Sequence, residues 1–300
     1  MELYKNKEVF EQIIIKISEE KGINPSIIEK DYYVTIILKE LAKRLPNLVF
    51  KGGTSLSKCY DLIKRFSEDI DITIKEEKPT ESQRIKIKTA MLEVLDLFNF
   101  QLLNPEEIKS RMEYNKYKID YPAIFNMGGL KNYVYVESVV SVRSFPIETR
   151  EAKSVIYDFL KENGFDKEIE EYNLQPFTLQ VQTLERTFID KVFAICDYYI
   201  DGRITEHSRH LYDIYKLMPY ITLNEDIKQL ITEVREYRKN NKYCYSAVDG
   251  ANVNELLEKI IKENTYKKDY NNITTKLLYE DISYEQAISV IQKIIDSKVF

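Results

Sequence analysis

The chain has 300 residues, 44% of them hydrophobic and 31% charged, with a formal net charge of −5. That balance describes a folded chain with a real core, in one large or two ordinary domains, and excludes a protein basic enough to bind nucleic acid over its whole surface. Three widely spaced cysteines (Cys59, Cys196 and Cys244) exclude a disulfide scaffold and a cysteine metal site, and fit a reducing compartment.

Residues 7–21 place Val9, Phe10, Ile13, Ile14 and Ile17 near helical spacing and predict a helix that Gly22 ends. The opening residues MELYKNKEVFEQ have no apolar run after their charges, and no stretch reaches the roughly 18 apolar residues of a membrane span. A cytoplasmic protein without membrane contact is expected. Asn24-Pro25-Ser26 opens a second predicted helix over 25–44, because Asn caps well and Pro suits a first turn. The charges Glu29, Lys30 and Asp31 on that helix read as a solvated face.

Leu48–Ile74 carries the chemistry. Val49 and Phe50 read as a short strand, Gly52-Gly53 as a turn, residues 55–64 as a helix, and the segment with Asp69 and Asp71 as a second strand. Strand side chains alternate, so Asp69 and Asp71 share one face while Ile70, Ile72 and Ile74 turn to a core. Two adjacent carboxylates repel each other, and a divalent cation is the usual compensation. Glycines let a backbone approach a ligand, and a helix start offers N–H groups to an anion. Alone, Gly-Gly is equally an ordinary tight turn, and the spacing matches neither a Walker A nor a dinucleotide-binding loop. Strand, turn, helix and a strand with paired carboxylates are together the minimum apparatus for a metal and a nucleoside triphosphate.

A helix is predicted over 81–99, and strands over 116–121 and 132–142 separated by Gly128-Gly129. Glu137 shares a face with Tyr133, Tyr135 and Val139, where a carboxylate needs a sheet edge or a partner. From about 150 the pattern turns helical, over 151–163, 183–200, 206–218, 224–239, 253–263 and 283–297. An α+β protein is expected, with an α/β domain at 1–150 and a helical domain at 151–300 that closes the active site. Lys191 and Asp190 interrupt an apolar helix and suggest a pocket wall. Asp213 lies among Leu, Tyr and Ile, where a capping or ion-paired aspartate is the plain alternative. His207 and His210 lie three apart with no third metal ligand at suitable spacing, and read as a basic or hydrogen-bonding face. Arg235–Tyr245 interleaves basic residues with tyrosines, and Arg84, Lys86 and Lys88 form a second basic run. Both suit nucleic acid, and both read more readily as ordinary solvated faces.

Four segments carry a resemblance: Glu29-Lys30-Asp31-Tyr32, Phe50–Ser57, Ser67-Glu68-Asp69-Ile70-Asp71, and Glu185-Arg186 with Asp190-Lys191 and Arg209–Asp213. Together they resemble the AbiEii family of toxin nucleotidyltransferases, which includes the mycobacterial MenT toxins, within the polymerase-β-like superfamily. The separation from Ser55 to Asp69 is at the long end for that superfamily's signature. The resemblance implies a polymerase-β-like core with a small mixed sheet, plus a helical C-terminal domain. It implies Asp69 and Asp71 as ligands of Mg²⁺ or Mn²⁺, with Glu137 as the third metal carboxylate and Asp120 as its rival. It implies Gly53 and Ser55, with Gly52 and Thr54 beside them, as the triphosphate cradle, and Ser67 as the serine of a Ser-x-Asp-x-Asp motif. Lys191 would steady the nucleotide phosphates, accompanied by Asp213. The implied reaction moves a nucleoside monophosphate from an NTP to RNA, expected to be the tRNA 3′ end, and so blocks translation. The setting would be a toxin–antitoxin or phage-defence pair with a separately encoded antitoxin. A small-molecule or protein hydroxyl as acceptor, and a nucleotide-binding protein without catalysis, stand as alternatives.

Overall fold

The computed structural model describes residues 1–67, 69–125 and 133–300. Glu68, Gly128, Gly129 and Asn132, which enter the sequence reading, lie outside the described residues. The chain forms two compact units. The first comprises Met1–Tyr60, Ser67–Arg143 and Ile147–Val181; the second comprises Asp61–Phe66, Ser144–Pro146 and Gln182–Phe300.

The first unit contains, in chain order, α1 (Lys7–Lys21), α2 (Pro25–Arg44), β1 (Leu48–Lys51), α3 (Gly52–Lys58), β2 (Asp69–Ile74), α4 (Glu81–Phe98), β3 (Gln101–Leu102), β4 (Tyr114–Asp120), β5 (Tyr133–Val139), β6 (Ile147–Ala152), α5 (Val155–Glu162), α6 (Asp166–Glu171) and β7 (Phe177–Gln182). The seven strands form one mixed sheet in the order β3-β4-β5-β2-β1-β7-β6. β1 is antiparallel to β2 and parallel to β7, and β2 is parallel to β5. β4 runs antiparallel to both β5 and β3. One face of the sheet is apolar, with Phe50, Ile70, Ile72, Tyr117, Ile119, Val134 and Val136 all buried. Helix α2 packs against β2, β5 and α4 on this side and brings Ile37 and Leu38 into the same core. Burying each such side chain contributes about 1.5–3 kcal/mol.

Two features depart from the sequence pattern. The charges on α2 are interior: Glu29 is 0% exposed and Lys30 2%. Glu29 accepts backbone hydrogen bonds from Ile124 (2.7 Å) and Phe125 (3.1 Å), which fixes the chain leaving β4. Asp31 accepts from Lys58 Nζ at 2.6 Å through one oxygen and from Val155 N at 2.9 Å through the other. Lys58 Nζ also donates to Thr35 Oγ1 at 2.6 Å. The polar stripe of α2 therefore pins the end of α3 and the start of α5 instead of facing water. Second, residues 147–182 supply two strands to the sheet. β7 turns Leu179 and Val181 inward beside β1, and Gln180 Nε2 donates to Thr149 Oγ1 of β6 at 2.8 Å. Helix α5 accordingly starts at Val155, and the first unit runs on past position 150 to Val181.

The second unit is helical: α7 (Leu184–Asp201), α8 (Arg209–Leu217), α9 (Glu225–Arg238), α10 (Val253–Glu263), α11 (Lys267–Asn272) and α12 (Tyr284–Ser297). Thr183 caps α7 by accepting from Arg186 N. α7 packs on α8, α9 and α10, and α12 on α8 and α10, around Phe188, Val192, Leu211, Ile214, Leu257, Ile291 and Ile294. Among the described residues no helix is long and apolar enough to cross a membrane.

Candidate active site

β1 ends at Lys51 in extended conformation, and α3 begins directly at Gly52 with φ +79°. The helix is two turns long, not the longer one expected over 55–64, because the chain departs after Lys58 into the Asp61–Phe66 segment of the second unit. A Cβ on Gly52 would lie 2.0 Å from Asp71 Oδ2 and 2.8 Å from its Cγ. Glycine is required here by a carboxylate packed against the backbone, which an ordinary turn does not demand. The hydroxyls of the turn tie it together. Thr54 Oγ1 donates to the Asp69 carbonyl at 2.5 Å and lies 2.8 Å from Ser67 Oγ. Ser55 Oγ donates to the Gly52 carbonyl at 2.8 Å.

Cross-strand register places the other acidic groups. Glu137 on β5 lies opposite Asp71, and Tyr135 opposite Asp69. On β4, Lys116 lies opposite Glu137 and Lys118 opposite Tyr135. Residues paired this way share a face, so Asp69, Asp71, Glu137, Lys116 and Lys118 occupy the polar side of the sheet, opposite the apolar core. Asp120 lies opposite Tyr133 at the start of β5, so Glu137 is the carboxylate that register brings beside Asp71. Glu137 accepts from Lys116 Nζ at 2.7 Å and from the Tyr114 hydroxyl at 3.3 Å. Burial, Glu137, Asp71 and Asp69 together push the Tyr114 hydroxyl well above its ordinary value.

These residues fit a divalent cation. Asp69 and Asp71 offer hard oxygen donors on one face, and the backbone at Gly52 comes as close as a missing Cβ allows. No group of three or more His, Cys, Asp or Glu is placed to hold a metal among the described residues. Mg²⁺ is usually held by one or two carboxylates together with substrate phosphates, so a pair suffices.

In the second unit, Lys191 on α7 and Asp213 on α8 meet, with Nζ 2.6 Å from Oδ2. The sequence reading missed their third partner, Arg65. Its Nε lies 2.6 Å from Asp213 Oδ1 and its Nη2 2.8 Å from Oδ2. Backbone bonds hold the segment in place, from Phe66 N to the Leu277 carbonyl and from Tyr279 N to the Lys64 carbonyl, both 2.8 Å. Arg65 sits in a stretch without helical or strand periodicity, so no pattern marked it as buried. Burial opposes ionisation of Asp213, yet Arg65 and Lys191 hold its carboxyl well below the usual carboxylate range. Burial lowers the Lys191 ammonium; Asp213 offsets part of this, while Arg65 and Arg209 lower it further.

His210 Nδ1 lies 3.3 Å from Lys191 Nζ, and burial with Lys191 and Arg209 keeps the ring neutral. His207 stacks on Tyr198 at 3.5 Å and is pushed down to about 4 by burial, Arg209 and Arg203. Of the basic or hydrogen-bonding face expected, the structure has a neutral one, in which His210 bonds to Lys191. Linkage gives a sign: above about 6.5 the folded and unfolded chains bind the same histidine protons, and between about 6.5 and 4 only the unfolded chain binds them. Stability is expected to fall across that window as pH drops. His207→Phe, which keeps the stacked ring, should flatten the slope by about one proton, measured by denaturant unfolding at a series of pH values.

The Arg235–Tyr245 segment is mixed: Arg238 turns inward, while Lys242 and Tyr243 are exposed, with Lys242 Nζ 4.9 Å from the Tyr243 ring centroid. Arg238 donates to Asp190 (2.9 Å) and Asp197 (2.8 Å), and its guanidinium lies 5.0 Å from the Phe193 ring centroid. Lys239 pairs with Glu236, and Cys244 is buried. Through Arg238 the segment ties α9 to α7, which takes this arginine out of the basic run.

A strand, glycine turn, helix and aspartate-bearing strand, set in a mixed α+β sheet, form a site of the class that can take a metal and a nucleoside triphosphate. A sequence model of the family described as nucleotidyl transferase AbiEii toxin, type IV toxin–antitoxin system, matches residues 36–290, and the chain belongs to this family. It is a nucleotidyltransferase toxin, and the family implies an NTP substrate, usually a divalent metal, and a cognate antitoxin. The fold is similar to that of MenT4, a nucleotidyltransferase toxin from Mycobacterium tuberculosis H37Rv, with a TM-score of 0.50, 14% identity, and coverage of 95% of this chain and 88% of that one. No curated protein matches significantly.

Proposed function

We propose that the protein transfers a nucleoside monophosphate from an NTP to the 3′ end of tRNA, using Mg²⁺, and so blocks translation inside the cell until a separately encoded antitoxin counters it. The observation that carries this reading is the Asp69–Asp71 face closed against Gly52. In it the acceptor hydroxyl attacks the α-phosphorus of the NTP. A new P–O bond forms to the acceptor, the bond to pyrophosphate breaks, and the hydroxyl proton passes to a carboxylate of this face. Asp69 and Asp71 would hold the Mg²⁺, and Glu137, now paired with Lys116, would join them as the third carboxylate on giving up that bond; the ion would supply charge stabilisation for the phosphates. Because the Thr54 hydroxyl bonds to the Asp69 carbonyl and the Ser55 hydroxyl to the Gly52 carbonyl, phosphate contacts there would come from the main-chain N–H groups that open α3, at Gly52, Gly53 and Thr54, with Ser67 holding the turn to β2. Lys191 would add a cation to the phosphates and Asp213 would orient it.

One observation favours a second acceptor class. Arg238 is tied to Asp190 and Asp197 and so is withdrawn from the basic run that a long RNA would use, which suits a small-molecule or protein hydroxyl. The test incubates the protein with tRNA and each labelled NTP, alone and with cell extract fractions. Incorporation into tRNA that is lost in Asp69→Ala is expected. Label appearing only in protein or small molecules would establish the second reading. No incorporation from any NTP, with undiminished toxicity of Asp69→Ala, would overturn both.

A further inference from the structure

Arg65 is the member of the Lys191 cluster to which neither the family motif nor the proposed reaction gives a task. Arg65 is 4% exposed, Lys191 7% and Asp213 0%, so three charges share an interior site. Arg65 takes both oxygens of Asp213 in a fork, the strongest geometry available to a carboxylate. Lys191 shares Oδ2 with it. His210, the next neighbour, is neutral, and Arg209 adds further positive potential at Lys191. Two cations thus share one carboxylate. Uncompensated interior charge is costly, and an anion entering the site relieves an excess of positive charge. Without Arg65, Lys191 and Asp213 would neutralise each other.

We propose that Arg65 is a positioning residue: by holding Asp213 through both oxygens, it leaves Lys191 an incompletely neutralised cation available to the triphosphate of a nucleotide. The identity of the anion rests on the nucleotidyl-transfer reading; the charge excess does not. The test titrates inorganic tripolyphosphate into the full chain, without metal, by calorimetry, with melting temperatures recorded alongside. The wild-type chain binds and Lys191→Met does not. Arg65→Gln keeps Lys191 and Asp213 yet is expected to weaken binding at least about tenfold. Arg65→Gln combined with Asp213→Asn restores the single excess charge and should regain most of the lost affinity. Arg65→Lys, which keeps the charge and loses the fork, should fall between. An arginine needed only for structure predicts the reverse: the double variant binds worse than either single one, and affinity tracks melting temperature. That pattern overturns the proposal, as does wild-type affinity in Arg65→Gln or a wild-type chain that ignores tripolyphosphate. Should Arg65→Gln not fold, the same comparison runs between Arg65→Lys and the double variant. If the affinities follow the proposal while no acceptor is ever labelled, the reaction reading fails and the role of Arg65 stands.

Discussion

Gly52→Ala is expected to lose nucleotidyl transfer by about two orders of magnitude or more while the chain still folds. Its Cβ would fall 2.0 Å from Asp71 Oδ2, far inside contact distance, so Asp71 or the turn has to move. A displacement of about 1 Å at a reacting centre is enough for a hundredfold loss. The backbone at φ +79° adds roughly 1–2 kcal/mol for any residue with a Cβ. Gly22→Ala separates the two effects. Gly22 also has a positive φ, of 66°, but a Cβ there meets nothing within 4 Å. It should lose about 1 kcal/mol of stability and no activity. Transfer rates and unfolding free energies for both variants decide the matter. Near-normal turnover in Gly52→Ala would mean that the position of Asp71 does not matter to the reaction.

Asp213→Ala should be the most destabilising of the site substitutions, by about 3–5 kcal/mol, because it strands Arg65 and Lys191 in the interior. Lys191→Met is expected to behave differently. It leaves the Arg65–Asp213 fork intact, so unfolding should change little while nucleotide affinity falls. Denaturant midpoints and nucleotide titrations on both variants test the contrast. An Asp213→Ala chain within about 1 kcal/mol of wild type would show that water or another group already compensates the two cations.

The parts of the fold legible in the sequence are those set by local pattern. α1, α2, α4 and most of the helical unit follow from spacing and caps, and Asn24 with Pro25 fixes the start of α2. The shared face of Asp69 and Asp71 follows from strand alternation alone. What the sequence hid depends on partners distant along the chain. Glu29, Lys30 and Asp31 look like a wet helix face because charge is normally wet; here backbone N–H groups of Ile124, Phe125 and Val155 and the ammonium of Lys58 satisfy the two carboxylates from far away in sequence. β6, with the sequence IETREA, lies mostly exposed and has too few inward apolar residues to read as a strand. Arg238 looks like part of a basic surface until α7 supplies Asp190 and Asp197. That Glu137 and not Asp120 lies beside Asp71 follows from the register of β2, β4 and β5, which composition does not encode.

The six residues from Asp61 to Phe66 carry a consequence for anyone dissecting the gene. They interrupt the nucleotide-binding signature between α3 and β2, which accounts for the long separation of Ser55 from Asp69, and they belong to the other unit. A clone expressing 182–300 would lack Arg65, the fork on Asp213 and the backbone pairing at Leu277–Tyr279. A clone ending at 181 would keep those six residues with nothing to receive them. Deletion of either half would then damage both units, and a split-gene experiment would depend on the 1–181 half supplying this loop to the 182–300 half. Point substitutions, not truncations, are the way to assign roles in this chain.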